Sequence, residues 1–230
     1  MNIVNPDSMA GTLDTLNEIF FSGTKLAKAN KEPTAKWIAG RQGLRFSYAG
    51  MPAPMDAECN AELRVFTGEP VKSAASVAHI LGEEACRALI LLDVSDQYVA
   101  SALEKATQGM MKRLLLPSGE PNPETFGQYC CGICSCAYWR HLAVGGLQDS
   151  KKRLTAGMEI LKEHRKGNGQ WRRFPFYYTL LALSEIKLPS AVEEMRYAAP
   201  VLKRYVKRAT ADDVYEQRRH ILAQRILEKI

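Results

Sequence analysis

A chain of 230 residues with 46% hydrophobic and 24% charged side chains has the composition of an ordinary globular fold, and no window approaches the ~20 apolar residues of a membrane-spanning helix. The formal charge of +6 suits a phosphate-rich partner, but no nucleic-acid recognition motif accompanies it. The start of the chain lacks the basic and apolar regions of a secretory signal, so a cytoplasmic protein is expected.

In chain order the signals are helical and the breakers are Gly and Pro. Residues 1–11 read as a flexible lead. A first helix is predicted over 12–28, with Leu13, Leu16, Ile19, Phe20 and Leu26 on one side. Thr34 is a candidate cap for a helix carrying Trp37 and Ile38 that stops at Gly40 to Gly43. Residues 47–54 hold too much Gly and Pro for a helix and read as a structured loop. Asp56 is a candidate cap for a helix over 57–66, ended by Gly68 and Pro70. Residues 73–92 form one or two apolar helices around Gly82. Helices over 99–115, 129–143, 151–165, 176–186, 191–208 and 213–228 complete the set, 209–230 being the C-terminal helix. No strand is predicted. The fold class is all-α in a single domain, and the apolar side of the last helix (Ile221, Leu222, Ile226, Ile230) suits its own subunit or a partner equally.

Two stretches align without a gap at an offset of 48 residues: Thr107, Gly109, Met110, Gly119, Phe126 and Tyr129 on Thr155, Gly157, Met158, Gly167, Phe174 and Tyr177. A period of this size belongs to stacked helical hairpins. In each copy an amphipathic helix precedes a Gly-rich turn, and a helix with almost no polar side follows it. A helix apolar all round is a buried one. Inner buried helices wrapped by outer amphipathic ones are therefore expected. Basic residues concentrate in 151–173 and 200–230 and read as solvated helix faces.

The run Gly157-Met-Glu-Ile-Leu-Lys-Glu-His-Arg-Lys-Gly167-Asn-Gly169-Gln170-Trp171 resembles the outer helix and turn of the prenyltransferase and squalene-oxidase repeat. Phe174-Pro-Phe-Tyr-Tyr-Thr-Leu-Leu-Ala-Leu183 is similar to its inner helix, and Trp37 to Gly43 resembles a third copy. The resemblance implies the α/α toroid of terpenoid cyclases and protein prenyltransferase β-subunits, over about residues 34–187. The family's DxDD and DDxxD motifs are absent. Its zinc-binding His falls nearest Tyr177 or Tyr178, so the catalytic chemistry does not follow from the fold.

Four of the six cysteines lie in Cys130-Cys131-Gly-Ile-Cys134-Ser-Cys136. Cys130, Cys131 and Cys134 are candidate soft-metal ligands, with Cys59, Cys86 or a loop residue as a fourth. His141 is excluded: along a regular helix it stands ~10 Å beyond Cys134, against metal bonds of about 2.0–2.3 Å. Packing by small apolar thiols and a reactive thiol are the alternatives. His79 and Glu83, four apart, suit an ion pair, a base with its orienting partner, or two metal ligands. Glu58 and Glu62 would face a central cavity, and Tyr48, Tyr129, Phe176 and Tyr177 would wall it. Three functions stay open. They are an apolar, isoprenoid-like ligand in an aromatic pocket, a helical-repeat scaffold for a protein partner or second copy, and a metal- or thiol-dependent enzyme at the cysteine cluster.

Overall fold

The computed structural model describes residues 3–208 and 212–230. They are all-α apart from one short strand pair. Backbone contacts gather the chain into two compact units, one of residues 1–63, 70–122 and 144–148, the other of 64–69, 123–143 and 149–230.

In the first unit, α1 (Met9–Ser22) starts where the Ser8 hydroxyl accepts from the Gly11 amide and stops at Gly23, whose φ of 74° closes the helix. The predicted 12–28 helix therefore ends early, at Ser22, because a left-handed glycine stops it; a short link precedes α2 (Lys28–Ala39). Of the expected flexible lead, residues 1 and 2 lie outside the described residues, and Ile3 is buried. Thr34 is inside α2 rather than at its start; its hydroxyl donates to the Asn30 carbonyl one turn back. The 19-residue α3 (Ala74–Leu92) is continuous through Gly82, where a Cβ would stand 2.9 Å from that of Met51. Asp96 caps α4 (Gln97–Arg113). Helix α3 packs on α1, α2 and α4, and most of its residues are buried.

No helix forms over 57–66. Asp56–Asn60 makes a 3-10 turn, and β1 (Leu63–Arg64) then pairs with β2 (Pro70–Val71). Two causes are visible. The Glu58 carboxylate is committed, accepting from the Met55 amide at 2.7 Å, the Ser8 hydroxyl at 2.7 Å and the Ala10 amide at 2.8 Å. Val65, Phe66 and Thr67 then favour extended backbone, and Gly68 turns it at φ 91°.

In the second unit, α5 (Pro123–Phe126) leads into α6 (Gly132–Ala143), followed by α7 (Ser150–Glu163), α8 (Phe176–Glu185), α9 (Pro189–Tyr205) and α10 (Val214–Lys229). Helix α8 packs against α6, α9 and α10, while α7 packs against α6 and α9. The predicted C-terminal helix over 209–230 includes residues 209–211, which lie outside the described residues; Asp213 caps the observed helix.

The repeat has a backbone counterpart in a shifted register. After α4, Leu115 bridges Pro121, the Leu116 amide donates to Glu120 and the Asn122 amide to Leu114. After α7, Arg165 bridges Trp171, the Lys166 amide donates to Gln170 and the Arg172 amide to His164. The offset here is 50, and Gly119 (φ 86°) matches Gly169 (φ 85°), not Gly167. Gly167, which the offset of 48 pairs with Gly119, is a second left-handed glycine in the same turn. A third bridged turn, Gln42 with Pro52, follows α2. Two arginines expected on a solvated face are drawn inward, Arg153 fully and Arg165 in part. Arg153 is 1% exposed, stacks on Phe126 and donates to the Tyr138 hydroxyl. Arg165 and the Trp171 indole share the buried Glu194 carboxylate.

Candidate functional site

The site is built at the entry to α6. The chain arrives through Gly127, Gln128, Tyr129 and Cys130, and three side chains of α6 hold it back against the helix's own first turns. The Trp139 indole donates to the Gly127 carbonyl at 2.8 Å. Ser135 accepts from the Tyr129 amide at 2.8 Å and donates to the Cys131 carbonyl at 2.9 Å. The Tyr138 hydroxyl donates to Phe126. Gly132, the first helical residue, permits the neighbouring backbone to approach: a Cβ there would lie 2.1 Å from the Arg173 carbonyl.

The helix therefore starts at 132 rather than 129, and Cys131 is its cap, since the Ser135 amide donates to the Cys131 carbonyl at 2.9 Å. Cys130 lies before the helix and folds back, so the cysteines meet through a cap rather than along a helix face. The sulfurs of Cys130, Cys131 and Cys134 all lie within 4.8 Å of one another. Cys130 is exposed, Cys131 half-buried and Cys134 buried.

The electrostatics divide the three. Hydrogen bonds from Cys130 and Cys134, joined by the Cys134 and Ile133 amides, hold the Cys131 thiol far below its usual range. Its bond to Cys131 pushes Cys130 up. Bonds to Cys130 and Cys131, then burial, push Cys134 up. These opposed directions favour a negative charge on Cys131, at the helix N-terminus, over one on Cys130 or Cys134, in keeping with the helix dipole. Cys136 points elsewhere, into the core beside the Thr179 hydroxyl at 3.4 Å, and burial raises it. Burial also raises Cys59 and Cys86. Neither is among the three converging cysteines.

The other candidates fall in two places. In the first unit, Tyr48, His79 and Glu83 are contiguous: the Tyr48 ring lies 4.8 Å from that of His79, and His79 Nε2 lies 3.1 Å from Glu83 Oε1. Arg113 covers the outer side of Tyr48 at 5.3 Å. His79 and Glu83 are 1% and 0% exposed, the geometry of a core pair on successive turns of α3. Glu58 is occupied with capping, as described above, and Glu62 is exposed. A cavity of about 370 Å³ in this unit is lined by Leu26, Lys28, Lys31, Glu32, Asp93 and Val94, with Ser95, and by none of these candidates. In the second unit, Tyr129 lies 6.0 Å from Tyr138, and Phe176 lies 5.1 Å from Tyr177 and 6.0 Å from Trp171.

Sequence reasoning missed Glu69, whose Oε1 accepts the amides of both Tyr177 and Tyr178 at 2.9 Å and so caps α8 from over a hundred residues away. No local signal marks such a cap. It also missed Ser135, whose bonds to Tyr129 and Cys131 depend on where α6 starts and have no local signal. No family model, curated protein or solved structure gives a significant match to this chain.

Proposed function

We propose that this protein holds a thiophilic metal ion on Cys130, Cys131 and Cys134, in an open site with a fourth coordination position for solvent or substrate. The observation that carries the reading is the convergence of three sulfurs within 4.8 Å. Zinc–thiolate bonds of about 2.3 Å put sulfurs ~3.8 Å apart around a tetrahedral ion, so closing the site takes a movement of about 1 Å. Three protein ligands with one open position is the pattern of a catalytic zinc site, and all-sulfur donors select zinc or monovalent copper over hard cations. When bound, such an ion supplies Lewis acidity at the open position. The chain's own part is done by Ser135, Trp139 and Gly132, which fix the entry segment so that Cys130 faces Cys134.

A second reading has its own support. Each unit sets buried helices against amphipathic ones (α3 against α2 and α4; α8 against α9), as in the prenyltransferase-like repeat. On that reading the protein takes an apolar, isoprenoid-like ligand among inner helices. Native mass spectrometry of protein purified under reducing conditions separates the two. One metal equivalent that disappears in the Cys131→Ser/Cys134→Ser variant is the result expected, and a lipid-like mass would favour the second reading instead. Metal content equal in the wild type and that variant would sink the first. Loss of a direct ligand should weaken zinc binding beyond the about 10–100-fold that outer-shell changes produce.

A further inference from the structure

Cys131, Gly132, Ile133 and Cys134 form a Cys-x-x-Cys segment whose first thiol caps a 12-residue helix and whose second lies buried one turn inside it. We propose that Cys131 and Cys134 form a redox dithiol that exchanges with small disulfides, Cys131 attacking and Cys134 resolving. The proposal uses the sulfurs of the metal site but does not require the ion.

The assignment of roles follows from position. Cys131 is half-buried, within reach of a small disulfide, and sits at the cap of α6, where the first amides of the helix point. Cys134 is shielded from outside reagents yet within 4.8 Å of Cys131, so it is placed to react only from within. Cys130 is more exposed but a poor partner for Cys131: adjacent Cα atoms are about 3.8 Å apart, short of the roughly 4.4–6.8 Å that disulfides span. The steps balance. The Cys131 thiolate attacks one sulfur of RS–SR, forming a mixed disulfide and releasing RS⁻. Cys134 gives its proton to that thiolate and attacks the Cys131 sulfur, releasing the second RS⁻. Two electrons pass from the dithiol to the substrate disulfide.

The test uses full-length protein in excess chelator, so that exchange and metal binding are read separately. Oxidised glutathione is added and cysteines are mapped by peptide mass spectrometry. The wild type should form the Cys131–Cys134 disulfide, and Cys134→Ser should accumulate a glutathione adduct on Cys131. Adduct formation there should outpace that at Cys59 by about tenfold or more, because Cys131 stands at the N-terminus of a 12-residue helix and Cys59 lies in a short 3-10 turn. Thermal unfolding of Cys134→Ser close to that of the wild type verifies that the variant is folded. An adduct that forms first on Cys130 or Cys59, or a wild-type disulfide other than 131–134, overturns the proposal. Zinc binding in reducing buffer without glutathione reports on the metal site alone.

Discussion

Trp171→Ala should destabilise the protein by about 3–5 kcal/mol, as removal of a buried indole does in other cores. Trp171 is 3% exposed, with its ring 5.8 Å from Tyr197 and 6.0 Å from Phe176. Its Nε1 donates to Glu194 Oε2 at 2.8 Å, and Arg165 reaches the same carboxylate through Nε and Nη2. Truncation therefore opens a cavity and also takes a donor from a carboxylate that is 2% exposed. Trp171→Phe keeps a six-membered ring but removes the pyrrole part together with its N–H. It should cost less than Trp171→Ala, yet at least the about 1–3 kcal/mol of a buried group left short of a partner. At about 2–4 °C per kcal/mol for a chain of this size, calorimetry should find Trp171→Ala melting roughly 10 °C lower. A fall of only a degree or two would mean that the bridged turn from Arg165 to Trp171 is not packed as described.

Trp171 was legible in advance because a bulky aromatic between two glycines and an apolar helix has few places to go. The same holds for the helices: periodic apolar residues mark α3, α4 and α10, while the Ser73 and Asp96 caps that set the starts of α3 and α4 show only in the structure. Where reading failed, distant contacts overrode local pattern. The 57–66 segment has a capping acid and helical spacing, but Glu58 answers to Ser8 and Ala10, some fifty residues back. The cysteines were legible as a group but not as a geometry. Extending α6 to 129 places Cys130 and Cys134 on one helical face. Starting it at Gly132 makes Cys131 a cap, and that choice depends on Ser135 and on the Arg173 carbonyl against Gly132. Neither partner can be read from the run of cysteines itself.

Zinc affinity should rise about 100-fold per pH unit from about pH 6 to 8, measured by competition with a chromophoric chelator at each pH. The slope counts protons. All three sulfurs must be thiolates to bind the ion. Cys130, Cys134 and the α6 amides hold Cys131 well below the ordinary thiol range, so it should bind the ion without releasing a proton, whereas Cys130 and Cys134 are held up and should each release one. Two protons leave per ion, so the logarithm of affinity climbs by about two per unit. Without metal the signs oppose one another. The depressed Cys131 contributes stability that is complete above the ordinary thiol pKa and is lost as pH falls through its folded value. The raised Cys130 and Cys134 contribute stability that is complete below the ordinary thiol pKa and is lost as pH rises through their folded values. Cys130→Ser should lower the slope to about one, because it removes one of the two protons to be displaced. A wild-type slope near three would mean that Cys131 keeps its proton despite its place at the helix N-terminus. A slope of one would require two thiolates within 4.8 Å of each other before any cation arrives, an arrangement like-charge repulsion opposes.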